Sequence, residues 1–273
     1  MPSAAQRFLK PIAQAVLRED YPRVQRHVEE FQHRRWWRST PLAAPTRAVA
    51  EHHGLVVQGG PFSGLRYPPD SIELSETVAP KILGIYEQEL NALVETLVAA
   101  DHDVMVNIGS AEGYYAIGLA MRSPGMKVIA FDRSATQQRL CREMAARNGV
   151  AERIEVRGEC GLDELREITA ERPLVVADCE GCEVDLLCPE QVSLLRRAAV
   201  VVELHDFLRS GATEQLDERF AATHGRTLIG AEPRYPSDSP ALAEVGLGFI
   251  DEHLAVTEFR PEPMSWVVYE PRD

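Results

Sequence analysis

Val104-Met105-Val106-Asn107-Ile108-Gly109-Ser110-Ala111-Glu112-Gly113-Tyr114-Tyr115 is the stretch on which the fold turns. Its mostly apolar start ends abruptly at a glycine, as a parallel strand buried on both faces does. Small residues at 109, 111 and 113 then permit a sharp turn and close approach of a ligand to the backbone. Tyr114 to Arg122 continues with helical patterning and stops at Pro124-Gly125. Downstream the alternation repeats. Lys127 to Phe131, Ile154 to Val156, Leu174 to Ala177 and Ala198 to Leu204 read as further strands. Ala135 to Asn148, Leu162 to Ala170 and Glu183 to Arg197 read as the intervening helices, the last kinked at Pro189. Such a succession of strand–helix units implies an α/β fold with a doubly wound, mostly parallel sheet. Thr227 to Ile229 and Trp266 to Tyr269 supply two late strands, antiparallel at one edge, which makes the sheet seven-stranded and Rossmann-like.

Ligands of such sheets bind at the carboxyl ends of the strands. The residues there are Gly109, Asp132, Glu159, Asp178 and His205, a glycine turn followed by polar or ionisable groups that a purely structural sheet does not need. Asp132 lies 19 residues beyond Gly113, where a carboxylate can accept two hydrogen bonds from a ribose diol. The small residues follow one another at intervals of two. That departs from G-x-G-x-x-G, disfavours a nicotinamide-dependent dehydrogenase, and leaves an adenosine that carries a methionine.

Val104 to Ala120 resembles motif I of class I S-adenosylmethionine-dependent methyltransferases. Asp178-Cys179-Glu180-Gly181-Cys182-Glu183-Val184-Asp185-Leu186-Leu187 is similar to the D-x-E-G-x-E-x-x-x-L signature of their FkbM-like members, and Val202-Glu203-Leu204-His205 suits them too. The resemblance spans about residues 80 to 210 and implies O-methylation of sugars, polyketides or other secondary metabolites. It implies a cofactor set of Asn107, Gly109, Ser110, Ala111, Glu112, Gly113, Tyr114, Asp132, Glu159, Cys160 and Asp178. Gly109, Ala111 and Gly113 would line the methionine part. Asp132 would hold the ribose, Glu159 or Cys160 would lie near the adenine, and Asp178 would sit where the methyl sulfur meets the acceptor. Asn107 stands where the family usually carries an acid, and Ala111 replaces the usual middle glycine.

Methyl transfer to an aliphatic hydroxyl needs the oxygen aligned and its proton removed, by a base or with a metal. His205, Asp178 and Glu180 are the catalytic candidates, with Glu203 and Asp206 beside them. One reading makes His205 a general base oriented by a carboxylate. Another places magnesium or another divalent cation on Asp178, His205 and Asp206. A third leaves Glu180 and Glu183 as mere helix-capping acids. Cys179 and Cys182 form a C-x-x-C, with Cys160 and Cys188 nearby, but without the second pair that zinc needs, so they read as buried thiols, and five cysteines, an odd number, do not make a disulfide framework.

Working outward, the 273 residues carry a net charge of −13, which opposes general binding to phosphate backbones and makes nucleic acid an unlikely partner. Residues 1 to 38 run the other way, with eight Lys or Arg against four acids. Phe8, Ile12, Ala15 and Val16, and again Val24, His27, Val28 and Phe31, recur at helical spacing. Arg34-Arg35-Trp36-Trp37-Arg38 fits an anionic substrate, a membrane surface or a nucleic acid, or else a helix docked on its own domain or a second subunit. Leu55 to Val57 reads as a short strand, the Gly- and Pro-rich segments at 59–64 and 67–70 as loops, and Lys81 to Ala100 as one helix. No apolar run reaches the ~18 residues of a membrane span, and no signal peptide is evident, so the expectation is a cytoplasmic protein with no membrane partner.

Residues 1–80 thus form an N-terminal helical and loop extension that shapes the acceptor pocket or a homodimer contact, and 81–273 form the methyltransferase domain. Trp36, Trp37, Tyr67 and Tyr86 are candidate walls for a small-molecule acceptor, and Tyr86-Glu87 could close over the cofactor. Two rivals to a small-molecule methyltransferase stay open. One is a nucleic-acid methyltransferase using the basic helix, which lacks the Asn/Asp-Pro-Pro-Tyr run of an adenine N6 enzyme. The other is a non-catalytic subunit that binds a partner through Phe31 to Arg38.

Overall fold

The computed structural model describes residues 21–260, 262 and 264–272. The predicted helix around Phe8, Ile12, Ala15 and Val16 lies outside them. Strands β1 (Val104–Ile108), β2 (Lys127–Phe131), β3 (Ile154–Arg157), β4 (Pro173–Ala177), β5 (Ala199–Glu203), β6 (His224–Gly230) and β7 (Ser265–Pro271) form one sheet in the order β3-β2-β1-β4-β5-β7-β6. The first five run parallel, and β7 lies antiparallel between β5 and β6. The expected doubly wound, mostly parallel, Rossmann-like sheet of seven strands is therefore present, with helices ahead of it.

Alternation along the strands explains the double winding. Met105, Leu174, Val176 and Val201 feed an apolar cluster on one face; Val106, Ile108, Val175, Ala177, Val200 and Val202 feed the other. Both faces are covered, so the central strands read as continuous apolar runs. The first cluster also takes in Val49, Phe62, Leu65 and Tyr67, so the N-terminal extension shares the core of the sheet. Its basic helix Tyr21–Trp37 docks on the same chain. Arg34 pairs with Asp70 at 3.0 Å, Arg38 with Glu73 at 2.6 Å, and Glu30 with Arg139 at 3.1 Å. Trp37 is buried against Leu42 and Ala43.

Three elements differ from their expectation. Lys81 to Ala100 is two helices, Val78–Leu83 and Asn91–Ala99. Gly84 ends the first at φ +76, and a Cβ there would lie 2.3 Å from the Gly59 backbone, so periodicity continued through a residue that the packing requires to be glycine. Glu183 to Arg197 is helical only over Glu183–Leu186, followed by a 3-10 turn at Ser193–Arg196, because Pro189 stops the helix rather than kinking it. Leu55 to Val57 makes only a single bridge, between Val56 and Arg66.

Candidate functional site

The strand order reverses between β1 and β4, and a cleft of about 500 Å³ opens at their carboxyl ends. Gly109 and Ala111 come to it from the turn after β1, Asp132 from β2, Glu159 and Cys160 from β3, and Asp178 to Glu180 from β4. The turn is built by the backbone. Gly109 and Ser110 both donate N–H to the Phe131 carbonyl at 2.9 Å, and Asp178 donates to Ile108 at 2.9 Å. Ala111 adopts φ +46, a conformation that costs an L-residue roughly 1 kcal/mol. Asp132 holds it there: one carboxylate oxygen accepts from the Ala111 N–H at 2.9 Å and the other from Ser134 at 2.7 Å. Burial pushes the Asp132 pKa up, against the pull of those two donors.

Other residues of the expected cofactor set sit behind this wall. Asn107 is buried and donates to the Val176 carbonyl at 3.3 Å. Ser110 is buried, and its hydroxyl has no partner among the described residues. Glu112 is buried and paired with Lys81 at 2.5 Å. Gly113 caps the helix Tyr114–Arg122, and the Tyr114 ring packs edge-on against Phe62, Tyr86 and Tyr115.

Beyond Asp178 and Glu180 lies a second cavity of about 300 Å³, which also takes in Tyr86, Glu203, His205, Phe207, Phe259 and Arg260. Asp178 and Glu180 line both spaces. Of the proposed aromatic walls, Tyr86 is there. Tyr67 is buried near Glu112, Trp37 in its own cluster, and Trp36 lies on the surface. A larger recess of about 600 Å³ runs along the edge strand β3 and holds none of the residues that follow β1, β2 or β4.

Four carboxylates surround the buried His205. Its Nδ1 lies 2.9 Å from Glu183, and its Nε2 3.5 Å from Glu203 and 3.6 Å from both Asp178 and Glu180. Burial alone would lower its pKa, but the hydrogen bonds to Glu183 and Glu203 and the surrounding negative charge prevail and push it up to about 10. The surrounding carboxylates thus favour the imidazolium form, which opposes the general-base role expected of His205. Loss of solvent and then the adjacent Glu203 charge hold the Asp178 carboxyl well above the usual range. Asp206 also departs from expectation. Its carboxylate accepts from the Thr213 N–H and hydroxyl, so it caps the helix Ala212–Phe220 instead of joining the cluster. Asp178, Glu203 and His205 do gather, each with one ligand atom within 4.8 Å of the others. With Glu183 on Nδ1, these oxygen donors and one nitrogen could hold a hard divalent cation only once the ring has given up its Nε2 proton.

Sequence reading missed Arg260 and Glu258. Arg260 contacts Glu203 through Nη1 at 2.5 Å, Glu87 through Nη2 at 2.7 Å and Glu258 through Nε at 2.8 Å. It neutralises a buried acidic cluster in which Glu87, itself at φ +47, is pushed up to about 7 by burial and by Glu203. No spacing signal ties residue 260 to residue 87; only the return of the chain before β7 brings them together. Cys179 and Cys182 form a disulfide, not the separate buried thiols expected. Left-handed residues at Glu180 (φ +58) and Gly181 (φ +100) turn the loop so that the two Cα atoms lie 5.5 Å apart.

No protein-family profile matches the chain, and no curated protein matches it. Among solved structures it is similar to an O-methyltransferase from Bacillus cereus in complex with SAH, with 16% identity, 68% of this chain and 80% of that chain covered, and a TM-score of 0.48. A putative O-methyltransferase from Klebsiella pneumoniae shares 12% identity over 86% of this chain and 91% of that chain, with a TM-score of 0.48. A tRNA methyltransferase of B. subtilis shares 13% identity over 67% of this chain and 65% of its own, with a TM-score of 0.44.

Proposed function

We propose that the chain is an S-adenosylmethionine-dependent methyltransferase that methylates an oxygen of a small hydroxylated acceptor, such as a sugar or secondary metabolite. The observation that carries this reading is the shared wall. A cleft with nucleotide-binding geometry and a second cavity rich in ionisable groups meet at Asp178 and Glu180. A donor in the first and an acceptor in the second would face each other across that seam.

Each Asp132 oxygen takes one backbone N–H and keeps a lone pair for a ribose hydroxyl. Gly109 and Ala111 leave room for the methionine part, and Glu159 and Cys160 border the base. Asp178 and Glu180 present negative charge to the sulfonium. On the acceptor side, Asp178 accepts the hydroxyl proton while His205 and Arg260 keep Glu203 ionised and fixed in place. A divalent cation held by Asp178, Glu203 and His205 would lower the acceptor hydroxyl pKa and so supply the same assistance.

Isothermal titration with S-adenosylmethionine, S-adenosylhomocysteine and NAD, with and without magnesium, tests this reading. The first two should bind and NAD should not. Asp132→Asn should weaken S-adenosylhomocysteine binding at least about a hundredfold, since two hydrogen bonds to a charged group are each worth roughly 1.5–3 kcal/mol. His205→Ala should keep that affinity and lose about a hundredfold or more in turnover, because Asp178, which takes the proton, loses the imidazolium that holds Glu203 beside it. Normal binding and turnover in both variants would discard this assignment of the site.

A further inference from the structure

We propose that Cys179–Cys182 is a reversible dithiol–disulfide couple that sets the shape of the cleft, the disulfide form being the one that binds the nucleotide cofactor. The inference rests on the reading of that cleft as the cofactor site. The bond lies in the wall itself: both cysteines are half-buried and line the cleft together with Gly109, Ala111 and Asp132. It closes a ring over Glu180 and Gly181, both in the left-handed region. Glycine accepts that conformation; Glu180 does so only under constraint.

Two contacts carry the loop shape into the site. On one side, the loop backbone presses on the turn after β1. A Cβ on Gly109 would lie 1.6 Å from the Asp178 carbonyl oxygen and 3.2 Å from the Cys179 Cα. On the other side, the Cys179 N–H donates to Glu183 at 3.0 Å, through the same carboxylate oxygen that faces His205 Nδ1 at 2.9 Å. With the S–S bond open, Glu180 is free to relax to negative φ. That movement shifts Asp178 and Cys179 away from Gly109 and loosens Glu183 beneath His205.

The chemistry is thiol–disulfide exchange with a small or protein dithiol. A thiolate of the dithiol attacks one sulfur, the Cys179–Cys182 bond breaks and a mixed disulfide forms. The second thiol of the reagent then closes on the first and releases both cysteines as thiols. Two electrons and two protons pass to the protein, and the reagent leaves as its disulfide; the reverse exchange restores the bond. Cys141 and Cys188 are buried, and Cys160, half-buried at the same cleft, is a background thiol common to both states. The thiols gained on reduction therefore report on 179 and 182.

The test uses the full chain in EDTA, with oxidised or reduced dithiothreitol. Alkylation and mass measurement count the thiols, hydrogen exchange follows residues 178–187 without ligand, and titration follows S-adenosylhomocysteine. Reduction should add two reactive thiols, speed exchange in that segment and weaken the ligand about tenfold, the scale of a lost preorganised loop. The double variant Cys179→Ser with Cys182→Ser should stay in the weak state in both buffers, and Cys188→Ser should respond as the parent does. Faster exchange on reduction, with no binding in either state, would uphold the clamp and defeat the cofactor reading. Equal exchange and equal affinity once two thiols have appeared would overturn the inference. So would five free thiols that oxidised dithiothreitol cannot close.

Discussion

Gly109→Ala should bind no S-adenosylhomocysteine and should melt well below the parent. Gly109 sits at φ +77, and the added methyl would lie 1.6 Å from the Asp178 carbonyl oxygen. Neither partner can retreat cheaply. The Gly109 N–H is bonded to Phe131 and the Asp178 N–H to Ile108, so both loops are pinned to the ends of β1 and β2. The overlap is with backbone rather than a rotatable side chain, so relief means separating the strand ends. Overpacking of that kind costs about 3 kcal/mol or more, and at roughly 2–4 °C per kcal/mol the melting temperature should fall by some 6–12 °C. Gly125→Ala is the control. Nothing lies within 4 Å of its Cβ position, so calorimetry should show a change within about 0.5 kcal/mol. A stable, cofactor-binding Gly109→Ala protein would contradict the packing of the two loops.

The second large effect belongs to the ion pair beneath the glycine turn. Lys81 and Glu112 are 5% and 1% exposed, and their charges meet at 2.5 Å, with the ammonium also 4.6 Å from the Tyr86 ring centre. Removing one member of a buried pair strands the other charge, which costs about 3–5 kcal/mol, whereas replacing both by apolar residues is often nearly neutral. Lys81→Met should therefore lower the melting temperature by about 10 °C. Lys81→Met with Glu112→Leu should recover most of that loss. A double-mutant cycle by chemical denaturation measures the coupling; additive losses would show that the pair does not act as a unit.

The contrast between these residues shows where sequence reading succeeds. Strands β1, β2, β4 and β5 were legible because a parallel strand covered on both faces is a largely apolar run, whereas the edge strand β3 carries Glu155 and Arg157 and was marked by its place in the alternation. Gly109, Asp132, Glu159 and Asp178 were legible in turn: each stands just past the carboxyl end of one of these strands, and the sheet gathers such ends by construction. Glu112 was misplaced because its position in the turn says nothing of the direction in which its side chain leaves. That direction is set by Lys81, from the helix Val78–Leu83. Arg260 was invisible because a loop lacks periodicity and its partners Glu87 and Glu203 are remote in the chain. The disulfide was hidden by a different omission. C-x-x-C spacing permits a bond only if the two intervening residues turn sharply, and a glutamate at φ +58 is not something composition announces.

The place of β7 has a consequence for the order in which the molecule can assemble. Strand β6 pairs with β7 alone, and β7 lies between it and β5. During synthesis, residues 224–230 emerge with no strand to pair with until 265–271 follow and insert. The first cleft is lined by residues no later than 186, from strands β1 to β4. The second cavity waits for the segment before the last strand, which delivers Arg260 to Glu87 and Glu203. Folding should thus be staged: earlier local pairing of β1 to β4, and a late closure with large sequence separation that completes the second cavity.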